Sequence, residues 1–123
     1  MARFTLFGAG LMMLVVGALH LLAPQMMMRE PGIELTSVNH FHVIRAAYGG
    51  AYLGIAALFL AGAIRRIDVR AALVAVVLLF GGFAFGRLYS IVADGVPVGL
   101  YLGVLAAEVF FTACALVALR RTS

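Results

Sequence analysis

The sequence predicts an all-α protein, an integral membrane four-helix antiparallel bundle, and three observations carry that prediction. Hydrophobic residues make up 65% of the chain and charged residues only 11%, against about a quarter charged in soluble domains. The apolar residues fall into four runs, each near the roughly 20 residues that cross the hydrocarbon core as a helix. The arginines gather in the segments at one side of these runs. With 123 residues the chain is one domain, residues 1–123. A soluble core this small would leave much apolar surface in water, so the lipid bilayer is the expected solvent and first partner.

The first span is Phe4–Ala23, stopped by Pro24. Arg3 before an apolar stretch suggests a signal peptide, but the stretch exceeds the usual h-region of about 7–15 residues, and it reads as a retained anchor. The second span is Arg45–Ile64, with its helix beginning earlier, at Ser37 as N-cap. The third is Ala71–Ala93 and the fourth Val98–Leu119. Unpaired backbone groups are too costly in lipid for these runs to be anything but helices.

Arg3, Arg65, Arg66, Arg70, Arg120 and Arg121 lie on one side of the four spans. The other side holds Arg29 with Glu30 and Glu34, and Asp94. The positive-inside rule makes the first side cytoplasmic and puts both termini there. The pI near 10.0 then reports orientation, not nucleic acid, because the basic residues form no patch. Small-residue rows predict close helix packing: Gly82, Gly86 and Ser90 on the third helix, Gly50 and Gly54 on the second, Gly10 and Gly17 on the first.

The outer side carries the side chains that lipid should reject. Arg87 lies about 9 Å below the outer end of the third helix and Glu108 about 15 Å into the fourth, at 1.5 Å per residue. A charge at such depth costs on the order of 3 kcal/mol or more unless paired or hydrated, so an Arg87–Glu108 ion pair is expected. Arg87, Ser90 and Asp94 share one helix face; His42, Arg45, Gly49 and Tyr52 share another, and Tyr101, Glu108 and Thr112 a third. The candidate polar cluster is therefore Arg45, Tyr52, Arg87, Ser90, Asp94 and Glu108, with His20, Asn39, His40 and His42 around it. Two arginines against one deep carboxylate leave surplus positive charge, which suits an anionic or polar small molecule. A purely structural ion pair is the competing reading. The inner half is almost wholly apolar, which favours a half-pocket over a pore.

Other chemistry finds less support. Met26, Met27 and Met28 are soft donors for copper, but consecutive helical residues point in different directions. His40-x-His42 lacks the three- or four-residue spacing of helical metal ligands. His20 and His42 lie at similar depth, as a bis-histidine haem would need; no metal or cofactor is predicted. The single Cys114 sits in an apolar run and reads as a small packed side chain. There is no HExxH, P-loop or GxSxG and no serine–histidine–acid set, so the reading leans away from an enzyme.

The segment Asn39-His40-Phe41-His42-Val43-Ile44-Arg45-Ala46-Ala47-Tyr48-Gly49-Gly50-Ala51-Tyr52-Leu53-Gly54 resembles the second-helix signature of a bacterial membrane family, catalogued as domain of unknown function 4345. Gly86-Arg87-Leu88-Tyr89-Ser90, then Asp94-Gly95 and Pro97, resembles its third-helix signature, and Glu108 matches its last-helix acidic position. The resemblance covers nearly the whole chain and is more distantly DoxX-like. It implies a four-helix bundle in the bacterial inner membrane, with Arg45, Arg87, Asp94 and Glu108 as polar positions, and no reaction. The expected role is a non-enzymatic accessory subunit of a larger membrane complex, or a small-ligand binder, alone or as a homo-oligomer. The alternative is a carrier or enzyme acting on a polar or lipidic molecule at the outer leaflet.

Overall fold

The computed structural model describes residues 1–122. Four of its helices are long and apolar enough to cross a membrane: Ala2–Leu22, Val38–Ala63, Val69–Asp94 and Gly99–Arg121. They are called the first to fourth helices below, and they form the expected four-helix membrane bundle. The end holding Arg3, Arg65, Arg66, Arg70, Arg120 and Arg121 is the basic end, and the opposite end is the distal end.

Local chemistry sets the boundaries. Ser37 caps the second helix, its hydroxyl accepting the His40 N–H at 3.3 Å, as the sequence predicts. Asp68 caps the third, accepting the Ala71 N–H at 2.7 Å, and so begins that helix two residues before the predicted span. The second helix ends in a Schellman turn, with Arg66 N–H bonded to Ala61 O and Arg65 N–H to Gly62 O. Arg65 takes the left-handed position that glycine normally fills, at φ 60°. Pro24–Arg29 forms a short helix in the first connection. Met28 is buried there while Met26 is exposed, so the methionine side chains diverge.

The second helix is not uniformly α. Arg45–Gly50 is a π-helical segment, with Ala51 N–H reaching back to Ala46 O. The extra residue per turn shifts the helix face on its distal side. Periodicity therefore fails across it: Gly49 and Tyr52 turn toward the first helix, while His42, predicted on the same face, is exposed.

The helices run antiparallel. A Cβ on Gly10 would meet Leu60, one on Gly17 would meet Leu53, and one on Gly49 would meet Leu21, so numbering rises on one helix as it falls on the other. At Gly17 and Gly49 the hypothetical Cβ lies 3.0 Å from backbone atoms, so the first two helices approach closely only because both residues lack a side chain. This confirms the first-helix seam. The other predicted rows do not pack inside the bundle: among the described residues nothing lies within 4 Å of a Cβ at Gly54, Gly82 or Gly86.

The core occupies the basic half. Phe80 packs on Phe59, Phe83 and Phe111 at centroid distances of 5.9, 6.3 and 5.8 Å, above Leu6, Leu73 and Val76. Two arginines reach helix-end carbonyls at the basic end: Arg3 Nε donates to Ala63 O at 2.9 Å, and Arg70 Nη1 to Leu119 O at 3.4 Å, which also accepts the Thr122 N–H and hydroxyl. Cys114 is only half-buried, not packed away as expected.

The distal half is open. Beyond Ala84 on the third helix and before Glu108 on the fourth, no described residue is buried. None is buried in Val38–Ile44 either. Glu108 is thus the outermost buried residue of its helix.

Candidate functional site

Antiparallel packing of the third and fourth helices brings position 87 level with position 108. Arg87 Nε donates to Glu108 Oε1 at 3.0 Å and to Oε2 at 2.9 Å. The glutamate side chain is 4% exposed and the arginine 37%. A buried carboxylate needs a partner, and one N–H serves both of its oxygens. The two terminal amino groups of Arg87 take no protein partner among the described residues. Thr112, also on the predicted fourth-helix face, bonds its own helix through Glu108 O at 2.7 Å.

Arg87, Ser90 and Ile91 line one wall of a cleft of about 200 Å³, and Pro97, Tyr101, Leu102 and Leu105 line the other. Drug-sized sites span roughly 300–1,000 Å³, so this cleft suits a small group. Ser90 donates its hydroxyl proton to Asp94 Oδ2 at 3.0 Å. With that proton committed, Ser90 offers only lone pairs to the cleft. Asp94 does not line the cleft itself; it is exposed, reaches it through Ser90, and forms no ion pair among the described residues.

The remaining predicted residues make a second group on the first two helices. His20 is buried and its Nδ1 lies 2.7 Å from Val16 O. A carbonyl only accepts, so Nδ1 carries the proton. The ring packs on Tyr48 and Tyr52 at 5.6 and 6.0 Å. Tyr52 also touches Phe83 of the third helix at 6.0 Å. It is the link between the two groups.

Arg45 does not join the Arg87–Glu108 pair. Its Nε donates to Leu21 O at 3.0 Å, satisfying an orphan carbonyl at the end of the first helix, and its guanidinium lies 5.5 Å from the Phe41 ring centroid. The surplus positive charge expected from two arginines is therefore not assembled at one point. His40 serves the start of the second helix, its Nδ1 accepting the Thr36 N–H at 3.1 Å. Asn39 and His42 are exposed. Among the described residues, no three of His, Cys, Asp or Glu are grouped to hold a metal ion.

Sequence reasoning missed Tyr48 and the leucine wall of the cleft. The leucines give no signal, because a lipid-facing residue is as apolar as a cleft-lining one. Tyr48 precedes Tyr52 by four residues, which on a helix is a shared face; that spacing was available. A larger open hollow of about 430 Å³, among Gln25, Arg29, Gly32, Ile33, Glu34 and Leu35, holds none of the predicted site residues.

This chain belongs to the family described as domain of unknown function (DUF4345), whose family model matches residues 1–119. No curated protein and no solved structure matches it.

Proposed function

We propose that this DUF4345 protein is a non-enzymatic membrane protein that binds the polar end of a small molecule in the distal half of its bundle. One observation carries the reading. Arg87 holds Glu108 through Nε alone, and its remaining donors belong to a side chain that lines a cleft with Ser90 and Tyr101. A strut whose only task was to neutralise Glu108 would have no need of a cleft.

Both termini in the cytoplasm is the orientation that the arginine distribution favours, and the bacterial inner membrane is the location that the resemblance implies. The pair then lies within the bilayer, and the cleft faces outward. A binder fits better than a carrier, because the basic half is filled by Leu6, Phe59, Leu73 and Phe80 and offers no polar path. The test is purification in mild detergent, followed by mass spectrometry of co-purifying small molecules. A molecule held by the parent and lost from Arg87→Gln protein that is still folded under the conditions of purification supports binding. No bound molecule, together with a sharp loss of stability in the variant, leaves the pair as a strut.

A second reading is an accessory subunit of a larger complex or a homo-oligomer. It is favoured by the distal stretch of the third helix, where Phe85, Tyr89 and Val92 are strongly exposed, and by Gly82 and Gly86, which face no neighbour. A protein recovered in fixed ratio from the same purification would support it.

A further inference from the structure

We infer that the cleft between the third and fourth helices takes a zwitterionic group of the phosphoethanolamine type, its oxyanion against Arg87 and its ammonium against Ser90 and Asp94. The inference rests on the binding reading above and names the ligand class.

The polarity of the cleft is ordered along the helix axis. Arg87 supplies donors at the inner end. Ser90, one turn further out, is an acceptor only, because its proton is committed to Asp94. Asp94 lies seven residues beyond Arg87, about 10 Å at 1.5 Å per residue. Only one of its oxygens accepts the Ser90 proton, which leaves the other open to a cation. The Tyr101 ring on the facing wall adds a surface of the kind that attracts ammonium groups.

Charge narrows the class further. Arg87 and Glu108 cancel, so Asp94 gives the site a net negative charge, and Arg45 is committed to Leu21 O. A simple anion is therefore disfavoured, and an oxyanion fits when it brings its own cation. Asp94 is also the last residue of its helix, at the carbonyl end where the helix dipole opposes a carboxylate. Helix stability does not account for it, whereas an ammonium partner does.

About 200 Å³ holds a headgroup and not a whole lipid. A free zwitterion would meet the same groups. In a lipid, acyl chains would remain outside and run inward from Arg87, along exposed residues of the same helix such as Phe85 and Leu78. The phosphate would lie deeper than the amine, which is the order the cleft presents.

The test is thermal unfolding of the purified protein in mild detergent with added dilauroyl phosphatidylethanolamine, dilauroyl phosphatidylglycerol or free phosphoethanolamine. Phosphatidylethanolamine should raise the melting temperature by several degrees and phosphatidylglycerol by clearly less. Asp94→Asn should erase that difference without lowering the lipid-free melting temperature, since Asp94 is exposed at a helix end. Ser90→Ala should reduce the difference. A rise with free phosphoethanolamine as well assigns a soluble zwitterion; a rise with the lipid alone assigns a headgroup. Equal stabilisation by both lipids in the parent overturns the zwitterion while leaving the binding reading intact. No stabilisation by either lipid or by phosphoethanolamine, with no small molecule co-purifying, removes both.

Discussion

A single N–H of Arg87 holds both carboxylate oxygens of Glu108, at 3.0 and 2.9 Å, and the two partners differ sharply in exposure, 37% against 4%. That difference makes the pair asymmetric in its response to mutation. Removing Arg87 strands a buried carboxylate, whereas removing the Glu108 charge leaves a guanidinium on a long side chain that can snorkel outward along the cleft to the headgroup level.

Arg87→Met should therefore cost about 3–5 kcal/mol, the usual penalty for orphaning one member of a buried pair. Glu108→Gln should cost only about 1 kcal/mol, a lost charge-assisted hydrogen bond partly replaced by its amide. Reversible unfolding in mixed micelles measures both. Equal costs for the two variants would contradict the asymmetry.

The seam between the first and second helices should be intolerant of side chains. Gly49→Val would push against the Leu21 backbone, 3.0 Å from the hypothetical Cβ, at a cost of about 1–3 kcal/mol or more for overpacking. Gly82→Ala and Gly86→Ala face open space and should be neutral, or stabilising by up to about 1 kcal/mol from helix propensity. Melting temperatures of the three variants in one detergent make the comparison.

Arg65 sits at φ 60°, where an L side chain costs roughly 1–2 kcal/mol. Arg65→Gly should raise stability by about 1 kcal/mol, seen as a higher melting temperature. Arg65→Ala keeps the strain and should give no such gain.

His20→Phe keeps a ring between Tyr48 and Tyr52 but loses the Nδ1–H bond to Val16 O. The loss should be about 1 kcal/mol. His20→Ala should cost more, because the two tyrosines then face a void. Chemical-denaturant melts of the two variants separate packing from hydrogen bonding.

Orientation has a direct test. In a Cys114→Ala background, Ser37→Cys should react with a membrane-impermeant maleimide in intact cells, and Arg66→Cys only after lysis. The reverse pattern would invert the assigned sides.

By itself the sequence determined the number of helices, their boundaries to within a few residues, and the sorting of Arg3, Arg65, Arg66, Arg70, Arg120 and Arg121 to one end. It also marked Arg87 and Glu108 as charges in need of each other, because in lipid an unpaired charge is expensive wherever it faces. Tertiary structure decided which way each helix is turned. A span that meets lipid on one side and protein on the other is apolar on both, so no periodicity betrays its rotation. The π-segment at Arg45–Gly50 broke the polar face read on the second helix, with Arg45 bonded to Leu21 O and His42 left exposed. The same freedom put Gly82 and Gly86 on an open surface and Gly17 and Gly49 in a seam. Ser90 and Tyr101 line one cleft because antiparallel packing of the third and fourth helices brings Arg87 level with Glu108.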